Sequence, residues 1–524
     1  MSKSFQLSTP RMAILLVLVL LSCTMLKKIQ RESMPADRFK KLSNKQLELK
    51  MKSSPFLKMH MKNGNVYILQ NWAMDSTRGK ITGQGVLLNA RREKLFQGNV
   101  QVGVDSVVLF ETNVLKQSGS ATALTVFTGI TVAITAYCLT NPKACFGSCP
   151  TFYISDGDSL QPDAEGFSAS IAPSLEASDI DALFHAASQG DEFAIEMRNE
   201  ALETHVVRYV NLLAVPRSSG QRVFADAKGN FWESSSLIAP SAATCPEGSC
   251  LNLLFHADRM ERYSETDSSY LGAKEYIEIE FDNLTEGKYG LVIGARQSLL
   301  STYLLYQSFA YMGHDVGYWL AQVERGRLGK KANDVLNILG GIDVMMKNKF
   351  GIWKVVDKVN EYGPLAIDFH LLKLGHLSKR KVKIRLRMTK GNWRIDYVAL
   401  AKLSKPVQPV RLKPYQVLKD GVIDQRALTL LSDSLNQLVT LPGDRYTLKF
   451  QLPKSAPSYE LFLESRGYYL EWIRKEWIEE ENPYFLSELW FNPRSLLKRL
   501  APQFKKVEKE IEDCFWNSRY EKRN

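Results

Sequence analysis

The sequence predicts a β-rich α+β fold: several small, sandwich-like β domains with a buried central helix and a helical C-terminal tail. Three observations predict it. Short alternating runs, closed by turns such as Asn63-Gly64 and Lys390-Gly391-Asn392, recur along the chain. One apolar segment near residue 300 switches to a helical period, and the stretch from Tyr459 onward is aromatic, amphipathic and punctuated by proline. At 524 residues the chain exceeds one ordinary core, so roughly two to four domains are expected. Its 45% hydrophobic and 24% charged residues exclude collagen-like and disordered classes. A net charge of +12 suits contact with anionic surfaces. No nucleic-acid partner is expected.

Residues 1–22 read as a signal peptide. Lys3 and Arg11 supply a basic flank, and Met12 to Leu21 is an uncharged apolar run. That run is too short for a spanning helix, which needs about 20 residues, and has the length of a secretory core. It ends in Leu20-Leu21-Ser22-Cys23, which resembles the lipobox of bacterial lipoproteins: a leucine three places before a cysteine, and a small residue just before it. The resemblance implies that Cys23 is diacylated and anchors the mature chain in a membrane through its N-terminal lipid. It also implies a place in the bacterial cell envelope, outside the cytoplasm. The alternative is an ordinary signal peptide cleaved near Ser22.

Residues 23–57, with Lys27, Lys28, Arg31, Arg38, Lys40, Lys41 and Lys45, read as a basic tether. Residues 58–115 read as a β domain. Lys58–Lys62 and Val66–Leu69 flank Asn63-Gly64 as a hairpin, and Ile81–Leu88, Val100–Val104 and Ser106–Phe110 follow as strands. Residues 116–143 hold the charge-free run Ala121 to Leu139. Its length permits a membrane span, while its threonines and two glycines favour a buried helix.

Residues 144–330 read as a β-rich domain with a buried helix. Phe152–Ile154, Phe193–Met197 and His205–Val215 are expected strands, and Tyr276–Phe281 is expected to pair with Gly290–Ile293 around Asn283–Lys288. Ser298 to Val323 carries the helical period, with Gly313 and Gly317 interrupting it. Residues 331–455 contain the clearest hairpin pattern. Lys381 to Met388 alternates strictly, turns at Lys390-Gly391-Asn392 and returns through Trp393–Val398. Residues 456–524 form the expected helical tail from Tyr459 to Arg519. Pro483, Pro493 and Pro502 mark helix starts or breaks, and Trp472, Trp477, Trp490 and Trp516 are expected to pack onto the body.

The segment Lys143-Ala144-Cys145-Phe146-Gly147-Ser148-Cys149-Pro150-Thr151-Phe152-Tyr153 resembles one carried by a family of uncharacterised bacterial envelope lipoproteins. The stretches Asn199–His205, Gly290–Gln297 and Tyr459–Ser465 are similar to that family too. The resemblance implies location and general architecture, and no activity.

Chemistry-bearing residues are sparse. In an oxidising compartment, Cys145 with Cys149 and Cys245 with Cys250 are expected to form short-loop disulfides. The rival is a four-thiolate zinc site. The histidines show no ligand spacing and no H-E-x-x-H. Asp156, Asp158, Asp163 and Glu165 lack the order of a calcium loop, and turn chemistry explains Asp156-Gly157-Asp158. No phosphate loop is present. No catalytic, cofactor or metal residue is assigned. The best interaction candidate is the basic face of Lys379, Arg380, Lys381, Lys383, Arg385 and Arg387, suited to anionic lipid or acidic glycan. The bland alternative is a solvated face neutralised by the glutamate-rich tail. The resulting expectation is an envelope lipoprotein that binds or scaffolds other envelope components. The rival is a hydrolase of envelope polymers with carboxylates on separated loops.

Overall fold

The computed structural model describes residues 27–519, apart from 54–55, 62–64, 76, 78, 89–93, 118–148, 157–158, 187–190, 317–318, 321–333, 361–362, 434, 455, 457, 472–476, 478–479 and 518. Cys23, Cys138, Cys145, Gly317, Trp472 and the run Ala121 to Leu139 lie outside the described residues. Among the described residues, no helix is long and apolar enough to cross a membrane.

The chain is β-rich, with separate sheets and a C-terminal helical stretch. The N-terminal sheet has six antiparallel strands, ordered Lys27–Pro35, Val107–Gln117, Phe56–Met61, Val66–Met74, Lys80–Leu88 and Lys94–Gly103. Residues 27–53 are therefore no tether. Lys27–Pro35 pairs with Val107–Gln117 from Lys27↔Gln117 to Pro35↔Leu109. The following helices Ala36–Lys40 and Asn44–Ser53 place Phe39 and Leu47 in the sheet's core. The lysines mark this segment as basic, but its two apolar anchors decide its structure.

The remaining four sheets stack face to face. The second runs Val422–Ile423, Gln416–Lys419, Arg445–Gln451, Glu192–Arg198, Thr151–Asp156, Ser159–Glu165. The third runs Val410–Leu412, Glu203–Pro216, Tyr459–Glu471, Ala177–Ala182. Val207, Val210, Leu212, Leu461 and Leu463 of the third sheet pack on the second, while Leu213, Val215 and Phe462 pack on the fourth. Successive side chains of one strand thus enter two different cores. This corrects only the start of the helical tail: Tyr459–Glu471 is a central strand, paired from Glu203↔Glu471 to Pro216↔Tyr459, and the helices follow from Pro483. A strand buried on both faces loses the apolar–polar alternation that would identify it.

The fourth sheet is ordered Phe231–Ile238, Arg222–Asp226, Asp368–Leu377, Gly287–Gln297, Trp393–Val407, Arg262–Tyr263. Phe231–Ile238 also pairs with Trp393–Val407, which closes five of these strands into a ring. The fifth sheet is ordered Gly248–Ser249, Ala242–Cys245, Lys274–Phe281, Val382–Thr389, Ile342–Lys347, Trp353–Val359. Its inner face, with Ile277, Ile279, Ile384 and Leu386, packs on Leu291, Ile293, Ile395 and Leu400 of the fourth.

That packing overturns both expected hairpins. Lys274–Phe281 and Gly287–Gln297 lie in different sheets, as do Val382–Thr389 and Trp393–Val407. The strands form where expected, but the turns between them cross from one layer of the sandwich to the other. Asn283 (φ 59°) and Gly391 (φ 76°) take left-handed backbone there. A Cβ on Gly391 would also lie 2.4 Å from the Thr266 side chain.

The helix Leu299–Met312 starts at Ser298, whose Oγ accepts the Leu300 N–H, and ends at Gly313 (φ 50°). It shares a core with Trp477 and with the helices Pro493–Val507 and Ile511–Asn517. Pro483 and Pro493 open helices at their first turn, and Pro502 sits inside one. Trp477 is buried in this core, and Trp490 and Trp516 pack against it.

Candidate functional site

The basic face is on the outside of the fifth sheet, and its cations face carboxylates. The strand Val382–Thr389 lies between Lys274–Phe281 and Ile342–Lys347. Cross-strand register sets Lys383 opposite Glu280, Arg385 opposite Glu278, and Arg387 opposite Asp343. Lys383 Nζ lies 2.8 Å from Glu278 and 3.1 Å from Glu280, Arg385 Nε donates to Glu278 at 3.0 Å, and Arg387 pairs with Asp343 at 2.6 Å. Lys381 lies 3.3 Å from Asp282. Neutralisation comes from the two neighbouring strands, not from the C-terminal glutamates. Lys379 and Arg380 are exposed beyond the strand end.

The cysteines divide. Cys245 and Cys250 form a disulfide with S–S 2.06 Å across the Pro246-Glu247 turn that joins Ala242–Cys245 to Gly248–Ser249. Both are therefore unavailable as thiolates, which removes the four-thiolate zinc site. Cys149 is a buried free thiol 3.6 Å from the Ser168 carbonyl oxygen. Burial, with Glu165 and Glu203 nearby, pushes that thiol well above its ordinary value. Its expected partner Cys145 lies outside the described residues.

A site the sequence did not single out lies where the second, third and fourth sheets meet. A cavity of about 220 Å³ is lined by Glu165, Asp179, Asp181, Gly363, Asp368 and His370, among others. Asp179 and Asp181 come from the edge strand Ala177–Ala182, and two-residue spacing puts them on one face. Glu165 ends a strand of the second sheet; Asp368 and His370 begin one of the fourth. A Cβ on Gly363 would lie 1.7 Å from Glu165 Oε2, so the carboxylate's approach requires glycine there.

The carboxyls are held differently. Asp368 Oδ1 accepts the Ala182 and Phe369 N–H groups at 3.1 and 2.8 Å, and Oδ2 lies 3.0 Å from His370 Nε2. Asp181 is 6% exposed, and among the described residues its Oδ2 has no hydrogen-bond partner. Burial, then the charges of Asp179, Asp368 and Glu165, pushes Asp181 well above the usual carboxyl range. Burial and the Asp368 charge push Asp179 up to about 6. The cavity therefore holds two carboxyls that burial and mutual charge make harder to ionise, beside Asp368, whose Oδ1 is fixed by backbone donors.

Next to it, His185 Nδ1 lies 3.3 Å from Asp163 and its Nε2 lies 3.2 Å from the Ala257 carbonyl. Although burial opposes it, the Asp163 hydrogen bond leaves His185 above its ordinary value. Asp396 is fully buried nearby and burial pushes it up to about 6. Asp163 and Glu165 are thus buried strand residues, not members of the Asp156 turn. Among the described residues, no three His, Cys, Asp or Glu side chains are arranged to hold a metal ion. A larger groove of about 930 Å³ beside Lys274 is less apt. Lys274 already donates to Ile338 O, Leu339 O and Thr389 Oγ1 at 2.7–2.8 Å, which uses all three of its protons.

No protein-family model matches the chain, and no curated protein matches it.

Proposed function

We propose that this chain is a lipid-anchored protein of the bacterial cell envelope, held by Cys23, that acts as a binding or scaffolding module. On this reading it stands with the uncharacterised envelope lipoproteins that its Lys143–Tyr153 segment resembles. The observation that carries the reading is the Cys245–Cys250 disulfide, because such bonds persist in oxidising compartments and are rare in the cytosol. It agrees with a lipobox at Leu20–Cys23.

The carboxyl cavity supports binding of a hydrogen-bond donor, such as the hydroxyls of an envelope glycan. It is lined by carboxyls, and among the described residues Asp181 Oδ2 has no hydrogen-bond partner. Its 220 Å³ is below the roughly 300–1,000 Å³ of drug-sized sites, so it would take one small group of a larger partner. The second reading is an envelope-polymer hydrolase, favoured by the raised pKa values of Asp179 and Asp181 beside Asp368.

Fractionation tests the anchor. Wild type is expected in the membrane fraction, Cys23→Ser in the soluble extract, and Cys245 and Cys250 unreactive to alkylation until reduced. Membrane retention of Cys23→Ser, or alkylation of both cysteines without reductant, would overturn the proposal.

A further inference from the structure

The fifth sheet carries a second group of cations with a different environment. Its edge hairpin joins Ile342–Lys347 to Trp353–Val359, with Lys347 opposite Trp353. Lys347, Lys349, Lys354 and Lys358 are all exposed. Among the described residues none of them makes an ion pair, although the cations one and two strands away do. Between them stand uncovered apolar side chains: Phe350 is 73% exposed, Ile352 60%, Val355 47% and Val356 45%.

The tip is preformed. Asn348 N–H donates to the Ile352 carbonyl at 2.9 Å, and Gly351 N–H donates back to the Asn348 carbonyl at 3.0 Å. Asn348 Oδ1 accepts the Phe350 and Ile352 N–H groups at 2.9 and 3.0 Å, and Gly351 takes φ 76°. The turn therefore holds Phe350 and Ile352 outward at no further ordering cost. The Lys347 ammonium lies 5.3 Å from the Trp353 ring centre, and the Lys349 ammonium lies 5.0 Å from that of Phe350.

We propose that this hairpin tip docks on an anionic phospholipid surface. Phe350 and Ile352 would enter the headgroup–acyl boundary, and Lys347, Lys349 and Lys354 would meet lipid phosphates. The charge argument selects this occupant. Unpaired lysines around an apolar apex complement an anionic leaflet, as interfacial segments do. They also oppose pairing of this edge strand with the same strand of a second copy, since lysines on an edge discourage such contacts. The inference goes beyond the anchor at Cys23 and does not rest on it.

Co-sedimentation with vesicles tests it, using residues 24–524, which include every described residue and carry no acyl chain. The chain is expected to bind phosphatidylcholine vesicles that contain phosphatidylglycerol, and to bind pure phosphatidylcholine far more weakly. The pair Phe350→Ser and Ile352→Ser should lower partitioning by about tenfold or more. Each of Lys347→Gln and Lys349→Gln should lower it about fivefold. Val422→Ser, at an apolar residue 71% exposed in another sheet, should change nothing. Unaltered binding of the tip variants, absence of binding to anionic vesicles, or self-association that the tip variants abolish would each overturn the proposal. Fractionation of Cys23→Ser reads the anchor separately, so either claim can fail alone.

Discussion

Two regions rich in carboxylates solve the same problem differently. On the outer face of the fifth sheet, Glu278, Glu280 and Asp343 stand opposite cations of the next strand and pair with them. At the junction of the second, third and fourth sheets, Asp179, Asp181 and Asp368 converge, and among the described residues no arginine or lysine lines the cavity. The outer face neutralises its charge by register, whereas at the junction burial and mutual repulsion push Asp179 and Asp181 above the usual carboxyl range. The difference lies in what each location can supply. An exposed sheet face places a side chain opposite every other on its neighbours, whereas the one strand paired with Ala177–Ala182 sets Ser465 opposite Asp179 and Leu463 opposite Asp181, so register brings them no cation.

The largest effect is expected where pairing and burial coincide. Arg262 is 0% exposed and its Nη1 lies 2.7 Å from Glu275, with a second pair at 2.9 Å to Glu247, which is half exposed. Glu275→Ala leaves a buried guanidinium with only that outer partner. The loss should be about 3–5 kcal/mol, read by urea unfolding. A loss below about 1 kcal/mol would mean that burial does not amplify these pairs.

The junction should show itself through pH. Below pH 4 Asp179 and Asp396 hold their protons in both folded and unfolded chains. Between pH 4 and 6 the unfolded chain releases protons that Asp179 and Asp396, each pushed up to about 6, still hold. Stability from these groups is therefore complete below the unfolded value and is lost as pH rises through about 6. His185, also raised, contributes with the same sign. Paired carboxylates act oppositely: Asp226, lowered to about 2 by Lys373 and the Asn230 and Lys228 donors against the opposing effect of burial, loses its contribution only in strong acid. Thermal unfolding should peak in mild acid and weaken toward pH 8. Asp396→Asn should flatten that decline by about 3 kcal/mol at most; an unchanged pH profile would show that Asp396 does not hold the proton.

Much of this architecture is legible in the sequence, and the missing part has a physical cause. Alternation correctly marks Lys274–Phe281 and Val382–Thr389 as strands, because it reports which face each residue occupies. It does not report which strand lies alongside, so turns that cross between layers read as hairpins. The strand Tyr459–Glu471 reads as helix because both its faces are buried. Of the candidate site, the Asp179-Ile180-Asp181 alternation was present as a signal on a strand. Nothing in the order of residues places Asp368, whose Oδ1 binds Ala182 from 186 positions away. The disulfide, by contrast, needs only a turn to close it, and its two cysteines are five positions apart.

The smallest effect belongs to the outer face. Arg385 and Glu278 have side chains 26% and 29% exposed, so water and salt screen their attraction. Arg385 also lies 4.2 Å from the centre of the Trp353 ring, so Arg385→Ala removes packing as well as charge. A double-mutant cycle with Glu278→Ala separates the two. The coupling between the charges should be about 0.2–1 kcal/mol and should shrink as salt is raised. A coupling near the loss expected for Glu275→Ala would erase the contrast between the two regions. It would mean that register alone, without burial, sets the strength of these pairs.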